Sequence, residues 1–318
     1  MDHVEKDKIK LRIGLALGGG GAKGLAHLGV LKVFEQYGIK LCCLAGSSIG
    51  AVFGTSYALG YKVDEIIAKA GGFSKKFSTF GNFNFFNESM ISDKRINAAI
   101  KGVVGDNTTF EDLKIPILIT AVDLENGEEI VLNKGKLWKA GRASSAIPFI
   151  FTPYFFQERY LVDGGLLNNV PVDKLRELGG LDVIIGVSLG GMTSRQYISG
   201  MVWEKYYRKP KPFTMYPSFL NKWKLNINLL SHILLRSLDI MRGYSEKDKI
   251  EKAAPDLIIH PNIDTISLLE FERYREAIDM GIKAAEEAMP EILRIIEAKK
   301  AEKAELLEQQ AVEKKTGT

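Results

Sequence analysis

The sequence predicts an α/β fold built on a mostly parallel sheet covered by helices, and three observations carry that prediction. Short apolar runs of strand length alternate with stretches of helical spacing, the pattern of strands joined by helical crossovers. The first two apolar runs stop at glycine turns, and turns at the carboxyl ends of parallel strands form the functional edge of such a sheet. The composition is that of a folded chain, with 318 residues, 46% apolar and 26% charged, long enough for one large α/β domain or two smaller ones.

Residues 11–17 read as a buried strand that stops at four consecutive glycines, 18–21. Leu28, Leu31, Val33 and Phe34 then suit a helix that Gly38 caps. A second strand at 39–45 stops at Gly46, and 48–59 forms a helix closed by Gly60. Residues 73–87 are aromatic without a clear period and read as a loop or a small cap. Strands at 115–122 and 129–132 are joined by the turn residues Glu125, Asn126 and Gly127. A helix over 137–146 is ended by Pro148, and 160–162 runs as a strand into Asp163, Gly164 and Gly165. Residues 183–189 are another buried strand, 257–260 the last one, and 267–288 a helix. The chain is therefore expected to divide into a disordered terminus at 1–10, a domain at 11–290 and a charged helical tail at 291–318 that is prone to fraying.

Within the domain, 190–250 reads as an insertion. Lys and Arg alternate there with Trp203, Tyr206, Tyr207, Phe213, Tyr216 and Trp223, and Ile227, Leu230, Leu234, Leu238 and Met241 mark one face of a helix. Residues 201–250 hold 10 Lys/Arg against 4 Asp/Glu, a net +6 that leaves −2 for the rest of a chain whose formal charge is +4. Two readings stand side by side. The segment is a lid packed on the core, or it is a face for peripheral contact with anionic membranes. Nucleic acid is not expected as a partner, because no motif for reading it is present.

Cys42 and Cys43 are adjacent, so as strand neighbours they point to opposite faces and build neither a disulfide framework nor a metal knuckle. The charged residues 1–10 lack the apolar core of a secretory signal, and no run of 18 apolar residues offers a bilayer span. A cytoplasmic protein is expected, with any membrane contact peripheral.

Gly46-Ser47-Ser48-Ile49-Gly50 fits the nucleophile-elbow pattern G-x-S-x-G between a strand and a helix. The glycines Gly46 and Gly50 permit a strained turn that lifts the Ser48 hydroxyl out of the sheet, and the following helix N-terminus favours negative charge there. The same residues also suit a plain small-residue packing turn. The loop Gly18-Gly19-Gly20-Gly21-Ala22-Lys23-Gly24 satisfies G-x-G-x-x-G, but the next strand ends without the acidic residue that a dinucleotide site needs. Lys23 is also followed by Gly24 rather than Ser or Thr, so the Walker pattern fails. What remains is a run of backbone N–H groups beside a candidate nucleophile, as an oxyanion hole requires. For the base, Asp163 at a strand end before Gly164 and Gly165 competes with an ordinary Asp-Gly-Gly turn. His260 offers an alternative Ser48/Asp163/His260 triad, while His3, His27 and His232 lie in less suitable places.

The loop GGGGAKG, the elbow GSSIG and the turn DGG, in this order, resemble the patatin-like phospholipases. The resemblance extends to Ala143-Ser144-Ser145-Ala146-Ile147-Pro148 and Asn169-Val170-Pro171, and covers about residues 11–190. It implies a three-layer α/β/α sandwich with a mostly parallel central sheet and a serine acyl-ester hydrolase acting on phospholipids, lysophospholipids or other lipid esters. Carried over residue by residue, Ser48 is the nucleophile and Asp163 its base, in a dyad without histidine. The segment Gly19, Gly20, Gly21, Ala22 and Lys23 is the oxyanion loop, and Gly46, Gly50, Gly164 and Gly165 support the turns. No metal or organic cofactor is implied. Lys23 stands where many members have Arg, which keeps the charge but loses the bidentate fork. A different class of function, a non-catalytic module that binds acyl ligands or membranes through the same pocket, remains the alternative.

Overall fold

The strand β1 (Ile13–Leu17) lies at the centre of an eight-stranded sheet because it is buried on both faces and paired on both edges. It runs parallel to β2 (Leu41–Ser47) on one side and to β7 (Val183–Val187) on the other. The computed structural model describes residues 9–78, 93–190, 219–266 and 268–316. Most of the expected mobile terminus, much of the aromatic segment at 73–87 and the aromatic part of the insertion at 191–218 lie outside the described residues.

Beyond β2 the sheet continues through β3 (Ile117–Asp123) to β6 (Arg159–Asp163) and β5 (Tyr154–Phe156), and beyond β7 to β8 (Leu257–Ile259). β4 (Glu129–Leu132) also pairs with β3. The central pairs are parallel, whereas β4, β5 and β6 form an antiparallel edge.

Side-chain alternation assigns the two faces. Leu15, Leu17, Leu44, Ile119, Ile185 and Val187 join the larger core with α1 (Ala26–Gln36), α2 (Ile49–Ala58), α3 (Val63–Ser78), α4 (Asp93–Val104) and α5 (Leu137–Ser144). Ala16, Cys43, Ala45 and Ile184 face the other way, onto α6 (Val172–Leu178) and Ala253 at the end of α7 (Phe219–Ala253). The result is the expected sandwich, a sheet between two helical layers.

The structure adds α3, α4, α6 and the short strand β5 to the elements read from sequence. Residues 291–316 are helical and continue α8 (Tyr274–Thr316), which runs unbroken through Pro290 and buries Ile292, Ile295 and Ala304. α8 packs against α1 backbone to backbone. A β-carbon on Gly29 would lie 2.1 Å from the Ile278 carbonyl oxygen, and one on Gly281 would lie 2.0 Å from that of Ala26. No helix among the described residues is long and apolar enough to cross a membrane.

The register of β3 positions the site. β4 occupies one edge of β3 from Ile119 to Val122, so β2 and β6 must share the other edge. There Ser47 at the end of β2 lies opposite Thr120, and Asp163 at the end of β6 lies opposite Ala121. One strand is parallel to β3 and the other antiparallel, so their carboxyl ends meet.

Candidate active site

Ser48 follows β2 and precedes α2, with φ 54° and ψ −126°, a backbone region that L side chains rarely adopt. Close packing enforces this turn. A β-carbon on Gly50 would come within 2.3 Å of the Leu17 carbonyl oxygen, so only glycine lets the helix start this near β1. Ser144, at the end of α5, accepts a 2.8 Å hydrogen bond from the Ser48 N–H.

Asp163 ends β6, and its Oδ1 accepts the Gly165 N–H at 2.8 Å, which closes the turn Gly164–Leu166. Its Oδ2 accepts a hydrogen bond from the Ser48 Oγ at 2.7 Å. Both side chains are buried. Burial pushes the Asp163 carboxyl above the usual carboxylate range, opposed by the Arg242 charge and by the hydrogen bonds from Ser48 and Gly165.

The glycine loop reaches the same place, with a β-carbon on Gly19 falling 3.1 Å from the Ser48 Cβ. Its N–H groups are not equivalent. Gly19 donates to the Asn169 carbonyl (3.1 Å), Ala22 to that of Leu268 (2.8 Å) and Lys23 to that of Gly20 (3.2 Å). The expected hole thus loses the N–H groups of Gly19, Ala22 and Lys23. Among the described residues, those of Gly20 and Gly21 have no protein acceptor. The Lys23 side chain is buried, and burial lowers its pKa against the opposing charges of Asp264 and Asp239.

The histidines separate clearly. His260 is exposed after β8, three strands from β2, or about 14 Å at the usual strand spacing, so the triad is not assembled. His27 is fully buried with Nε2 2.7 Å from the Gly18 carbonyl oxygen, and burial lowers its pKa to about 4. It is therefore a neutral brace beneath the glycine loop. His3 and the side chain of His232 lie outside what the structure describes.

A cleft of about 390 Å³, counting its open mouth, extends from Ser48 and Gly21 and is lined mainly by apolar side chains, among them Val52, Ile96, Ile100, Ile147, Phe151 and Phe271. Sequence reasoning gave no role to several residues beside Ser48 and Asp163. Arg242 on α7 donates to the Asn169 Oδ1 at 2.5 Å, and the Asn169 Nδ2 donates to Glu246 at 2.7 Å. Ser188 also donates to Glu246. These residues are far apart in sequence, and only the helical periodicity around 227–241 hinted that an inward face existed.

The patatin-like phospholipase family model matches residues 15–176, from β1 through Asp163 into α6. Among curated relatives, lysophospholipase NTE1 of Candida albicans is 29% identical over 307 residues, covering 91% of this chain and 21% of that protein. A patatin-like phospholipase domain-containing protein of Caenorhabditis elegans is 28% identical over 295 residues, covering 88% of this chain and 21% of that protein. An uncharacterized NTE family protein of Mycobacterium bovis is 28% identical over 290 residues, with 89% and 48% covered. The chain thus spans less than half the length of these relatives. With half of its residues matched by one family model, in the segment that carries the glycine loop, the elbow and Asp163, the chain belongs to the patatin-like phospholipase family.

Proposed function

We propose that this chain is a serine acyl-ester hydrolase for phospholipids, lysophospholipids or related lipid esters, with Ser48 as nucleophile and Asp163 as its base. The observation that carries this reading is the 2.7 Å hydrogen bond from the Ser48 Oγ to the buried Asp163 carboxylate. The lysophospholipase name of a relative and the apolar cleft opening at Ser48 support a lipid acyl substrate.

In this reading Asp163 takes the Ser48 proton as the Oγ attacks the ester carbonyl carbon. The free N–H groups of Gly20 and Gly21, with that of Ile49 at the start of α2, receive the developing oxyanion. Collapse of the tetrahedral intermediate expels the alcohol, which leaves with the proton held by Asp163. A water then gives its proton to Asp163 and attacks the acyl-serine. The second collapse frees the fatty acid and returns the proton to Ser48. Burial suits Asp163 to this task because a carboxylate with a raised pKa is a stronger proton acceptor.

The domain at 11–290 acts as the catalytic unit in this reading. Ile240, Met241 and Tyr244 on α7 are exposed, which supports peripheral membrane contact beside the site. Failure to sediment with anionic vesicles at low salt would remove the membrane contact.

Turnover of a short nitrophenyl ester, together with labelling by a fluorophosphonate, tests the chemistry. Ser48→Ala and Asp163→Asn should each lower turnover by about 10⁴-fold or more. A folded wild-type chain that leaves Ser48 unlabelled is a binding module rather than this enzyme.

A further inference from the structure

A buried carboxylate tends to become protonated, and a protonated Asp163 cannot accept the serine proton. Two hydrogen bonds favour its charged form, but one of them comes from Ser48, the group whose proton it must take. The remaining influence is a cation from another part of the chain. Gly165 leaves the space for it, because a β-carbon there would lie 2.9 Å from the Asp163 Oδ1 and 3.3 Å from the Arg242 Nε. On the other side, a β-carbon on Gly19 would lie 3.5 Å from the Arg242 Nη2. The guanidinium therefore sits against both glycine turns that frame the dyad.

It is also fixed there. Its Nη2 donates to Asn169, whose amide is held by Glu246 one helical turn further along α7. Ser245 of the same turn donates to the Leu167 carbonyl at 2.5 Å, tying α7 to the segment that follows Asp163. The Arg242 Nε is shut off from solvent and has no hydrogen-bond partner among the described residues. Other charged groups nearby are Lys23 from the glycine loop, Asp264 from the loop after β8, and Asp239 and Glu246 on α7 itself. Glu246 is engaged by Asn169 and Ser188.

We propose that Arg242 is a positioning residue for Asp163: α7 carries its guanidinium to the edge of the dyad, where a fixed positive charge keeps the buried proton acceptor a carboxylate. This rests on the hydrolase reading. Coulombic attraction by Arg242 is the leading influence that opposes the effect of burial on Asp163.

The test is the pH–rate profile of the full chain on an uncharged nitrophenyl ester. Activity rises with pH as Asp163 ionises, so in Arg242→Gln this acidic limb should move up by about one pH unit or more. On the acidic limb itself turnover should fall about tenfold, and most of that loss should be recovered on the high-pH plateau. Arg242→Lys should leave the limb in place. If Arg242→Gln does not fold, the lysine variant still decides, because a limb that moves while the charge is retained overturns the assignment.

Uniform loss at every pH would mean that Arg242 only supports the fold, and the proposal fails. Loss confined to a phospholipid substrate, with the limb unmoved on the neutral ester, would assign the guanidinium to the substrate's anion and also overturns it. Fluorophosphonate labelling of the wild-type separates the two levels. A labelled wild-type with an unmoved limb in Arg242→Gln sinks only the Arg242 role, whereas an unlabelled wild-type sinks the hydrolase reading with it.

Discussion

Ser48 and Asp163 meet at 2.7 Å, yet the chain brings them there at different kinds of cost. At Ser48 the cost is conformational, because a positive φ in a non-glycine residue stores about 1–3 kcal/mol that the packing of β1, β2 and α2 must hold. At Asp163 the backbone is relaxed, with φ −51° and ψ 127°, and the cost is electrostatic, a carboxylate removed from water. One half of the site is therefore sensitive to changes in backbone freedom, and the other to changes in charge.

The largest test removes each functional group in turn. Ser48→Ala and Asp163→Asn should both abolish turnover, but only Asp163→Asn should raise the melting temperature at neutral pH. The folded pKa of Asp163 is raised, so it contributes stability below the unfolded pKa and loses it as pH rises through the folded value. An amide has no such penalty. Equal melting temperatures for the two variants would erase the contrast.

His27 extends the electrostatic side with the opposite sign. Its folded pKa of about 4 lies below the unfolded 6.5, so the unfolded chain takes up a proton that the folded chain refuses. Stability should fall as pH drops from about 6.5 to 4, by roughly 3 kcal/mol in all. Denaturant unfolding at pH 7 and pH 5 should show this acid sensitivity markedly reduced in His27→Gln.

Ser144→Ala addresses the conformational side by depriving the Ser48 N–H of its acceptor. A buried unpaired N–H costs about 1–3 kcal/mol, and the elbow should lose turnover without any displacement of the pH profile. A profile that shifts would mean that Ser144 acts on Asp163 instead. The smallest effect compares two inactive chains. Ser48→Gly should unfold at higher denaturant than Ser48→Ala by about 1 kcal/mol, because glycine accepts the positive φ.

The candidate pair was legible because both members are local signatures, a serine between glycines at a strand end and an aspartate before two glycines, and the structure places them 2.7 Å apart. The rest of the site is tertiary. Nothing near Arg242 in sequence marks it as facing Asp163, and counting it within a basic window made it look like a surface charge. The glycine loop was recognised, but which of its N–H groups remain free depends on the carbonyls of Asn169 and Leu268. In the fold, α3 carried a readable signal in Val63, Ile66 and Ala70 behind Asp64 and Glu65. β5 carried almost none, since its turn to β6 uses Gln157 and Glu158 at positive φ in place of glycine or asparagine. Pro290 lies between the helix read over 267–288 and the tail read from 291, and α8 runs through it because burial of Ile292 and Ile295 beyond it outweighs one lost backbone bond.

The shared edge of β3 has a consequence for when the chain can first do chemistry. Ser48 and Asp163, 115 residues apart in sequence, are aligned by neighbouring positions of a single strand. A slip of one residue in either pairing would turn that partner's side chains to the opposite face. β3 thus acts as a coincidence detector. In the proposed mechanism, a chain that had paired only β1 and β2 would hold the elbow without Asp163, so serine reactivity would report completion of the sheet.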